Sequence, residues 1–214
     1  MTDISFATVI IIDDHPLLRK GLSQLLEFEP ELKLIAEAEN GIQGLAIAIR
    51  DEPDLIILDL NMPEMNGINT LIALRNAGVT SRIIVLTVSD NVSDIIQVMR
   101  AGADGYLLKD IKPELLLEEI KKAALGQMVV DPRLTEVLVD AIHTHQPDHQ
   151  PKLAELTFRE REVATLIADG LSNKQISLEL GISQETVKVH VKHVLKKLKL
   201  SSRVKVALFM VQQK

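Results

Sequence analysis

The sequence contains no cysteine, no hydrophobic run long enough to cross a bilayer, and few aromatic residues. Without cysteine, the protein can form neither disulfide bonds nor thiolate metal sites, and nothing requires an oxidising compartment. The apolar runs are far shorter than the roughly 20 residues of a transmembrane helix, and residues 1–5 lack the basic start of a signal peptide. Aromatic residues make up only 2% of the chain, which disfavours a large cavity for an organic ligand. We therefore expect a cytoplasmic protein that does not contact the membrane.

Acidic and basic residues are unevenly distributed along the 214 residues. Residues 1–130 contain 11 Lys and Arg against 20 Asp and Glu, a net charge of −9, whereas residues 150–214 contain 12 against 6, a net charge of +6. This asymmetry indicates different partners for the two parts, and it favours a polyanion as the partner of the second part.

Four short apolar runs, rich in Ile, Val and Leu, alternate with segments of helical periodicity. They cover residues 9–12, 55–58, 83–86 and 106–108, and a further strand is predicted at Leu32–Ala38. Runs of this kind are typical of parallel strands that are buried on both faces. The alternation predicts an α/β fold with a doubly wound, five-stranded parallel sheet and helices on both faces.

Polar residues follow these runs at the points where the strands end. Asp13 and Asp14 follow the first run, Asp59 the second, Thr87 the third and Lys109 the fourth. In parallel sheets these ends lie at one edge, where ligands bind. Three carboxylates there would repel one another, and a hard cation such as Mg²⁺ would relieve the repulsion. Asp59 is then a candidate acceptor of a phosphoryl group, with Lys109 and Thr87 stabilising the phosphoryl oxygens.

Residues 8–125 resemble a response-regulator receiver domain. The resemblance is carried by Asp13-Asp14-His15-Pro16, residues 59–67 (DLNMPEMNG), Thr87 and residues 103–109 (ADGYLLK). It implies the flavodoxin-like strand order 2-1-3-4-5. It also implies that a sensor histidine kinase passes a phosphoryl group to Asp59, which becomes an aspartyl-phosphate.

The same resemblance implies roles for the residues around Asp59. Asp14, Asp59 and the main-chain carbonyl of Asn61 would hold Mg²⁺, with Asp13 acting mainly through water. Thr87 and Tyr106 would form a switch pair, in which the Thr87 hydroxyl moves to the phosphate and the Tyr106 ring turns inward behind it.

The chain departs from the receiver pattern directly after Lys109. Many receivers have a proline at this point, preceded by a cis peptide bond, but this chain has Asp110. A cis bond before another residue costs about 2.5–4 kcal/mol. We therefore do not expect a cis bond here, and the role of Lys109 is unaffected.

A polar segment with two prolines separates the two parts of the chain. We predict a receiver domain over residues 1–127, a linker over 128–152 with a connecting helix over 133–142, and a DNA-binding domain over 153–214. Three histidines lie close together in the linker, at positions 143, 145 and 149. We interpret them as solvated residues rather than as metal ligands.

The last part of the chain has a helical pattern throughout. Two residue pairs have the spacing of a capping box at a helix start, Thr157 with Glu160 and Ser172 with Gln175. Ser183 is the expected N-cap of a helix over residues 184–198. That helix carries one apolar stripe and one lysine stripe, and it follows a helix and a tight turn. A basic helix–turn–helix unit of this kind indicates DNA binding in the major groove.

This region resembles the LuxR-type helix-turn-helix domain through residues 156–162 (LTFRERE), 170–176 (GLSNKQI) and 186–192 (TVKVHVK). The residues that the resemblance places at base edges are Lys188, Val189 and Lys192. Those that it places at DNA phosphates are Ser183, Thr186, His193 and Lys196. A last helix over residues 202–211 resembles the surface through which this family forms homodimers on DNA, although packing within its own domain is nearly as well supported.

The two resemblances together identify a regulator of the NarL/FixJ family, similar above all to its nitrate/nitrite response regulators. They imply a transcription regulator rather than an enzyme, in which the unphosphorylated receiver covers the DNA-binding helix. Three alternatives stay open. An aspartate-nucleophile phosphatase would need an acid/base aspartate where Asn61 stands. A ligand-sensing LuxR-type regulator would need a cavity, and a NarL-family regulator could answer another signal or act without phosphorylation.

Overall fold

The computed structural model of the protein describes residues 6–134 and 153–213. The first range consists of strands that alternate with helices, and the second consists of helices. Among the described residues, no helix is both long enough and apolar enough to cross a membrane.

The first range forms a single parallel sheet with helices on both faces. Its strands are β1 (Ala7–Ile12), β2 (Leu32–Ala38), β3 (Leu55–Leu58), β4 (Arg82–Thr87), β5 (Gly105–Leu108) and β6 (Val129–Val130). Its helices are α1 (Pro16–Glu27), α2 (Gly41–Asp51), α3 (Gly67–Asn76), α4 (Val92–Ala101) and α5 (Pro113–Ala124). The strands are paired in the order β2-β1-β3-β4-β5-β6. The predicted doubly wound fold is confirmed.

The sheet has six strands rather than the five that the sequence predicted. The sixth strand, β6, has only two residues, and it pairs Val129 with Gly105 and Val130 with Tyr106. A strand this short leaves no run of alternating or continuous apolar residues, so periodicity could not reveal it. Because β6 lies beyond residue 127, the sheet extends into the segment that was predicted as linker.

Two hydrophobic cores lie on the two sides of the sheet, because successive residues of a strand point to opposite faces. Ile10 and Leu58 belong to the core that packs against α2, α3 and α4. Val9 and Ile57 belong to the core that packs against α1 and α5. Burial on both faces explains why these strands are continuously apolar.

The second range begins with a short 3₁₀ turn, Leu153–Glu155. Its four α-helices are α6 (Phe158–Ala168), α7 (Asn173–Leu180), α8 (Gln184–Leu198) and α9 (Arg203–Gln212). Both predicted capping boxes are present, Thr157 with Glu160 before α6 and Ser172 with Gln175 before α7. Ser183 caps α8, as predicted. The apolar stripe of α8 is buried in the core of this domain, through Val187, Val191, Val194 and Leu198.

The segment between the two domains is described only in part. Arg133 and Leu134 lie in a short 3₁₀ turn, Pro132–Leu134. The rest of the connecting helix predicted over 133–142 lies outside the described residues, as do the three linker histidines.

Candidate functional site

The carboxyl edge of the sheet brings together the acidic residues that the sequence predicted there. Asp13 and Asp59 are almost fully buried, at 2% and 1% exposure, and Asp14 is partly buried. Ligand atoms of Asp13, Asp14, His15 and Asp59 all lie within 4.8 Å of one another. The arrangement follows from the register, because Ile12 of β1 is paired with Leu58 of β3, so the residues after them meet.

The backbone around Asp59 is held in place by a close contact with the start of α3. Leu60 donates its main-chain N–H to Asp59 Oδ1 over 2.8 Å, and Gly67 donates its own to the Leu60 carbonyl over 2.9 Å. A Cβ atom on Gly67 would lie only 2.1 Å from the Asp59 carbonyl oxygen. A larger residue at position 67 would therefore displace the loop that carries Asp59.

Lys109 bridges two of the carboxylates. Its Nζ lies 2.8 Å from Asp13 Oδ2 and 2.9 Å from Asp59 Oδ2. Burial alone would lower the pKa of Lys109, but the bonds to Asp13 and Asp59 outweigh it and raise the pKa above its ordinary value. Lys109 therefore stays positively charged at neutral pH, beside the oxygen to which a phosphoryl group would be attached.

The acidic cluster has the donor set that Mg²⁺ prefers, with carboxylates that are incompletely satisfied by the protein. Three carboxylates there face only one ammonium and one imidazole. Lys109 Nζ lies between Asp13 and Asp59, and Asp14 Oδ1 faces His15 Nδ1. Asn61 follows in the loop after Asp59, and its side chain is exposed. The residues present therefore fit a divalent cation.

The residues predicted as a switch pair lie behind the cluster. Thr87 ends β4 and is fully buried, and its Oγ1 accepts a bond from the main-chain N–H of Ser89 over 3.3 Å. Tyr106 is also fully buried, and its hydroxyl donates to the Ser89 carbonyl over 2.8 Å. Burial raises the pKa of Tyr106 to about 12. The ring thus already occupies an inward position in this structure.

The loop after Lys109 is tied to the segment that leaves the sheet. Asp110 accepts two bonds from the guanidinium of Arg133, at 2.9 Å and 2.6 Å, and Arg133 also pairs with Asp131. No described peptide bond is cis, in agreement with the expectation for Asp110. The residue that replaces proline is therefore one end of an ion pair.

The predicted base-contacting residues of α8 lie against the first domain. Lys188 Nζ donates to the main-chain carbonyl of Glu52 over 2.6 Å. A Cβ atom on Gly78 would lie 2.9 Å from Lys192 Cε, so the stem of Lys192 packs directly on that glycine. Between these contacts a cavity of about 160 Å³ is lined by Lys188, Val189 and Lys192 and by the ends of α2 and α3. The predicted DNA-reading surface thus faces the receiver in this arrangement: Lys188 is partly buried, whereas Val189 and Lys192 remain exposed at its margin.

The four residues predicted at DNA phosphates lie at the start of α8 and along it. The Ser183 hydroxyl accepts the Thr186 main-chain N–H and lies 2.9 Å from the Thr186 hydroxyl. His193 is exposed, with Nδ1 3.8 Å from Glu160 Oε1, and Lys196 is exposed. Ser183 and Thr186 therefore also serve to cap the helix.

Sequence reasoning missed the part of His15 in the acidic cluster, and it did not identify the individual residues that join the two domains. His15 Nδ1 lies 2.8 Å from Asp14 Oδ1 and joins the acidic cluster. Its place beside two aspartates was the signal that could have revealed it. Two contacts join residues of different domains that are more than 100 positions apart, Lys205 with Arg100 and Lys188 with Glu52. No local sequence pattern indicates such contacts.

Comparison with family models gives two matches that together cover most of the chain. Residues 9–121 match the response regulator receiver domain, and residues 154–210 match the bacterial regulatory proteins of the luxR family.

Similar curated proteins align along nearly their full length. The nitrate/nitrite response regulator protein NarL of Escherichia coli (strain K12) is 47% identical over 208 residues, which is 97% of this chain and 96% of NarL. The nitrate/nitrite response regulator protein NarP of the same strain is also 47% identical, over 96% of this chain and 95% of NarP. A nitrate/nitrite response regulator protein homolog of Haemophilus influenzae is 45% identical, over 96% of each chain.

Solved structures match over both domains as well. The response regulator ChrA of a heme-sensing two-component system has 31% identity and a TM-score of 0.53, with 98% of each chain covered. A structure of two RcsB dimers bound to two parallel DNAs has 22% identity and a TM-score of 0.58, and covers 98% of this chain and 100% of the RcsB chain. The RcsB match supports the fold alone.

Proposed function

Because the chain belongs to the two-component response regulators that join a receiver domain to a LuxR-type DNA-binding domain, we propose that Asp59 accepts a phosphoryl group from a sensor histidine kinase and thereby controls DNA binding. The family consists of transcription regulators rather than enzymes, and it implies a kinase partner and DNA as a ligand. The observation that best supports Asp59 as the acceptor is its buried carboxylate, 2.9 Å from the Lys109 ammonium and surrounded by Asp13 and Asp14.

Each residue at the carboxyl edge of the sheet has a separate role in phosphoryl transfer. Asp13, Asp14, Asp59 and the Asn61 carbonyl would hold Mg²⁺, which would neutralise the charge of the incoming phosphoryl oxygens. Asp59 Oδ2 forms the bond to phosphorus, and the phosphohistidine nitrogen of the kinase is the leaving group. Lys109 then pairs with a phosphoryl oxygen instead of with the bare carboxylate. The Thr87 hydroxyl would turn from Ser89 to the phosphoryl group.

The contacts of α8 with the first domain support control of DNA binding by the receiver. Lys188 and Lys192 would reach the major groove only after leaving Glu52 and Gly78. Phosphorylation at Asp59 would weaken this docking and allow two chains to pair through α9 on DNA. For the domain division, we propose a receiver that includes β6 rather than ending at residue 127, and a DNA-binding domain over residues 153–214.

We assign the signal and the location by likeness to the relatives. NarL and NarP are named as nitrate/nitrite response regulators, and we propose that this chain controls genes of nitrate- and nitrite-dependent anaerobic respiration in the cytoplasm. Genome-wide DNA occupancy in cells with and without nitrate tests this assignment. Occupancy that responds to another signal would leave the phosphorylation proposal intact and overturn only the nitrate/nitrite assignment.

The phosphorylation proposal is tested with acetyl phosphate and Mg²⁺. Wild-type protein should gain one phosphoryl group by mass spectrometry and bind DNA more tightly, whereas Asp59→Asn should do neither. Asp90→Asn, which changes an exposed aspartate at the same edge of the sheet, is the matched control and should behave as wild type. Phosphorylation of Asp59→Asn to the wild-type extent would place the acceptor elsewhere.

A further inference from the structure

We propose that a small multivalent oxyanion, of the class of phosphate and sulfate, binds between the two domains at a site formed by Arg82 and Arg203. A cavity of about 70 Å³ lies between the amino-terminal edge of the sheet and the starts of α7 and α8. Arg82, the first residue of β4, lines it from the receiver, and Arg203, the first residue of α9, lines it from the DNA-binding domain. This edge is opposite to the one that carries Asp59.

The two arginines are buried without a carboxylate of their own. Arg82 is 4% exposed and Arg203 is 5% exposed. Within residues 6–134 and 153–213, neither forms an ion pair within 4 Å; the buried carboxylate of Asp104 is paired with Arg75, at 2.7 Å. Buried charges in proteins are ordinarily paired. The charge of Asp104 also acts on Arg82 and Arg203, but this one carboxylate is shared among three arginines. The cavity therefore has an excess of positive charge.

The hydrogen-bond donors of both guanidiniums are only partly used. Arg82 makes one long bond among the described residues, from Nη1 to the Gln127 carbonyl at 3.4 Å. Arg203 uses Nη1 and Nη2 to bond Asn173 Oδ1 and the Leu171 carbonyl, and its Nε has no described partner. Each guanidinium presents a planar fork that matches an oxyanion. Donors from two domains thus converge on one small space.

Other groups around the cavity add to its positive character. The start of α7 lines it through Ser172 and Asn173, and a helix N-terminus carries a partial positive charge. Two carboxylates also line it, but Asp54 already accepts two bonds from Thr8, and Glu31 is exposed. Neither carboxylate is paired with Arg82 or Arg203.

Both arginines have less stable charged forms than usual, in agreement with a missing counter-ion. Burial lowers the pKa of Arg82 to about 10 although the charge of Asp104 opposes the shift. Burial and the charge of Arg82 lower the pKa of Arg203, again against the effect of Asp104. An oxyanion between them would remove this repulsion. Because it would contact both domains, it would also favour the arrangement in which α8 lies against the receiver.

Equilibrium dialysis of the full-length protein against radiolabelled inorganic phosphate tests the site. The buffer contains a chelator and no phosphodonor, so the result is independent of chemistry at Asp59. NaCl keeps the ionic strength constant. Wild-type protein should bind about one phosphate per chain, and unlabelled sulfate should compete while added chloride should not. Arg82→Gln should weaken binding at least about tenfold, as expected for the loss of a charge-assisted hydrogen bond. Arg50→Gln, on the exposed end of α2, is the matched control and should bind as wild type.

A second variant keeps the test decisive if Arg82→Gln does not fold. Asn173→Asp places a carboxylate where Asn173 Oδ1 now lies, 3.0 Å from Arg203 Nη1, and an acidic residue in the first turn of a helix is favourable. The new carboxylate should take the place of the phosphate beside Arg203 and reduce phosphate binding at least about tenfold. Asn69→Asp on α3 is the matched control and should not change phosphate binding. Absence of saturable binding to wild type, or wild-type binding by Asn173→Asp, would overturn the proposal.

Discussion

Lys205 offers a test of receiver docking that leaves every predicted DNA-contacting residue in place. Its Nζ donates to the main-chain carbonyl of Arg100 in the last turn of α4 over 2.8 Å, and to Ser201 Oγ over 2.7 Å. A net contribution of about 1.5–3 kcal/mol is typical of a hydrogen bond to a charged group. Because Lys205 is only partly buried, we take about 1 kcal/mol for its contribution to docking.

Lys205→Met keeps much of the aliphatic stem and removes the bond to Arg100. Loss of about 1 kcal/mol from the docked arrangement should tighten DNA binding by the unphosphorylated protein about fivefold. Fluorescence anisotropy with a labelled duplex, at fixed salt, measures the change. Lys20→Met, which removes an exposed positive charge from α1, controls for the altered net charge and should show no such gain.

Phosphorylated protein separates docking from a direct effect on DNA binding. Once the domains are apart, Lys205→Met should bind DNA no better than phosphorylated wild type. An equal gain in both states, or no gain in either, would refute the reasoning that the bond to Arg100 holds α8 against the receiver.

Two further predictions concern stability. Asp104→Asn should destabilise the receiver by about 3 kcal/mol in urea unfolding, because Arg75 would keep a buried charge without its partner. The control, Asp51→Asn, changes an ion pair at the surface and should cause no measurable change. An equal loss of stability in both variants would contradict the role of burial. Glu160 is buried, but its bond to Lys197 and the capping bonds lower its pKa to about 2. Stability from this group should therefore be complete above pH 4.5 and lost as the pH falls towards 2, and Glu160→Gln should flatten the measured pH dependence in that window.

The sequence predicted those elements whose signal is local. The strand ends that carry Asp13, Asp59 and Lys109 were recognisable because each follows a continuous apolar run, and buried parallel strands require such runs. The helix starts at Thr157 and Ser172 were recognisable because capping boxes have a fixed spacing.

The features that the sequence did not predict depend on contacts between distant parts of the chain. β6 was missed because a pair of valines has no period. Arg82 directly precedes the apolar run 83–86, and Arg203 directly follows Ser202 at the start of the last helix. Neither position indicates a buried guanidinium. Only the placement of one domain against the other buries both guanidiniums in one cavity.

The bond from Lys188 ends on a main-chain oxygen of Glu52, at the carboxyl end of α2. Every residue type supplies that oxygen, and the negative end of the helix dipole strengthens it as an acceptor. Residues that tolerate the left-handed backbone of position 52, where φ is 41°, can therefore replace Glu52 without abolishing this contact. Lys188 is itself a predicted DNA-contacting residue and needs its own side chain for that role. Substitution is therefore tolerated at position 52 of the receiver but restricted at position 188 of α8.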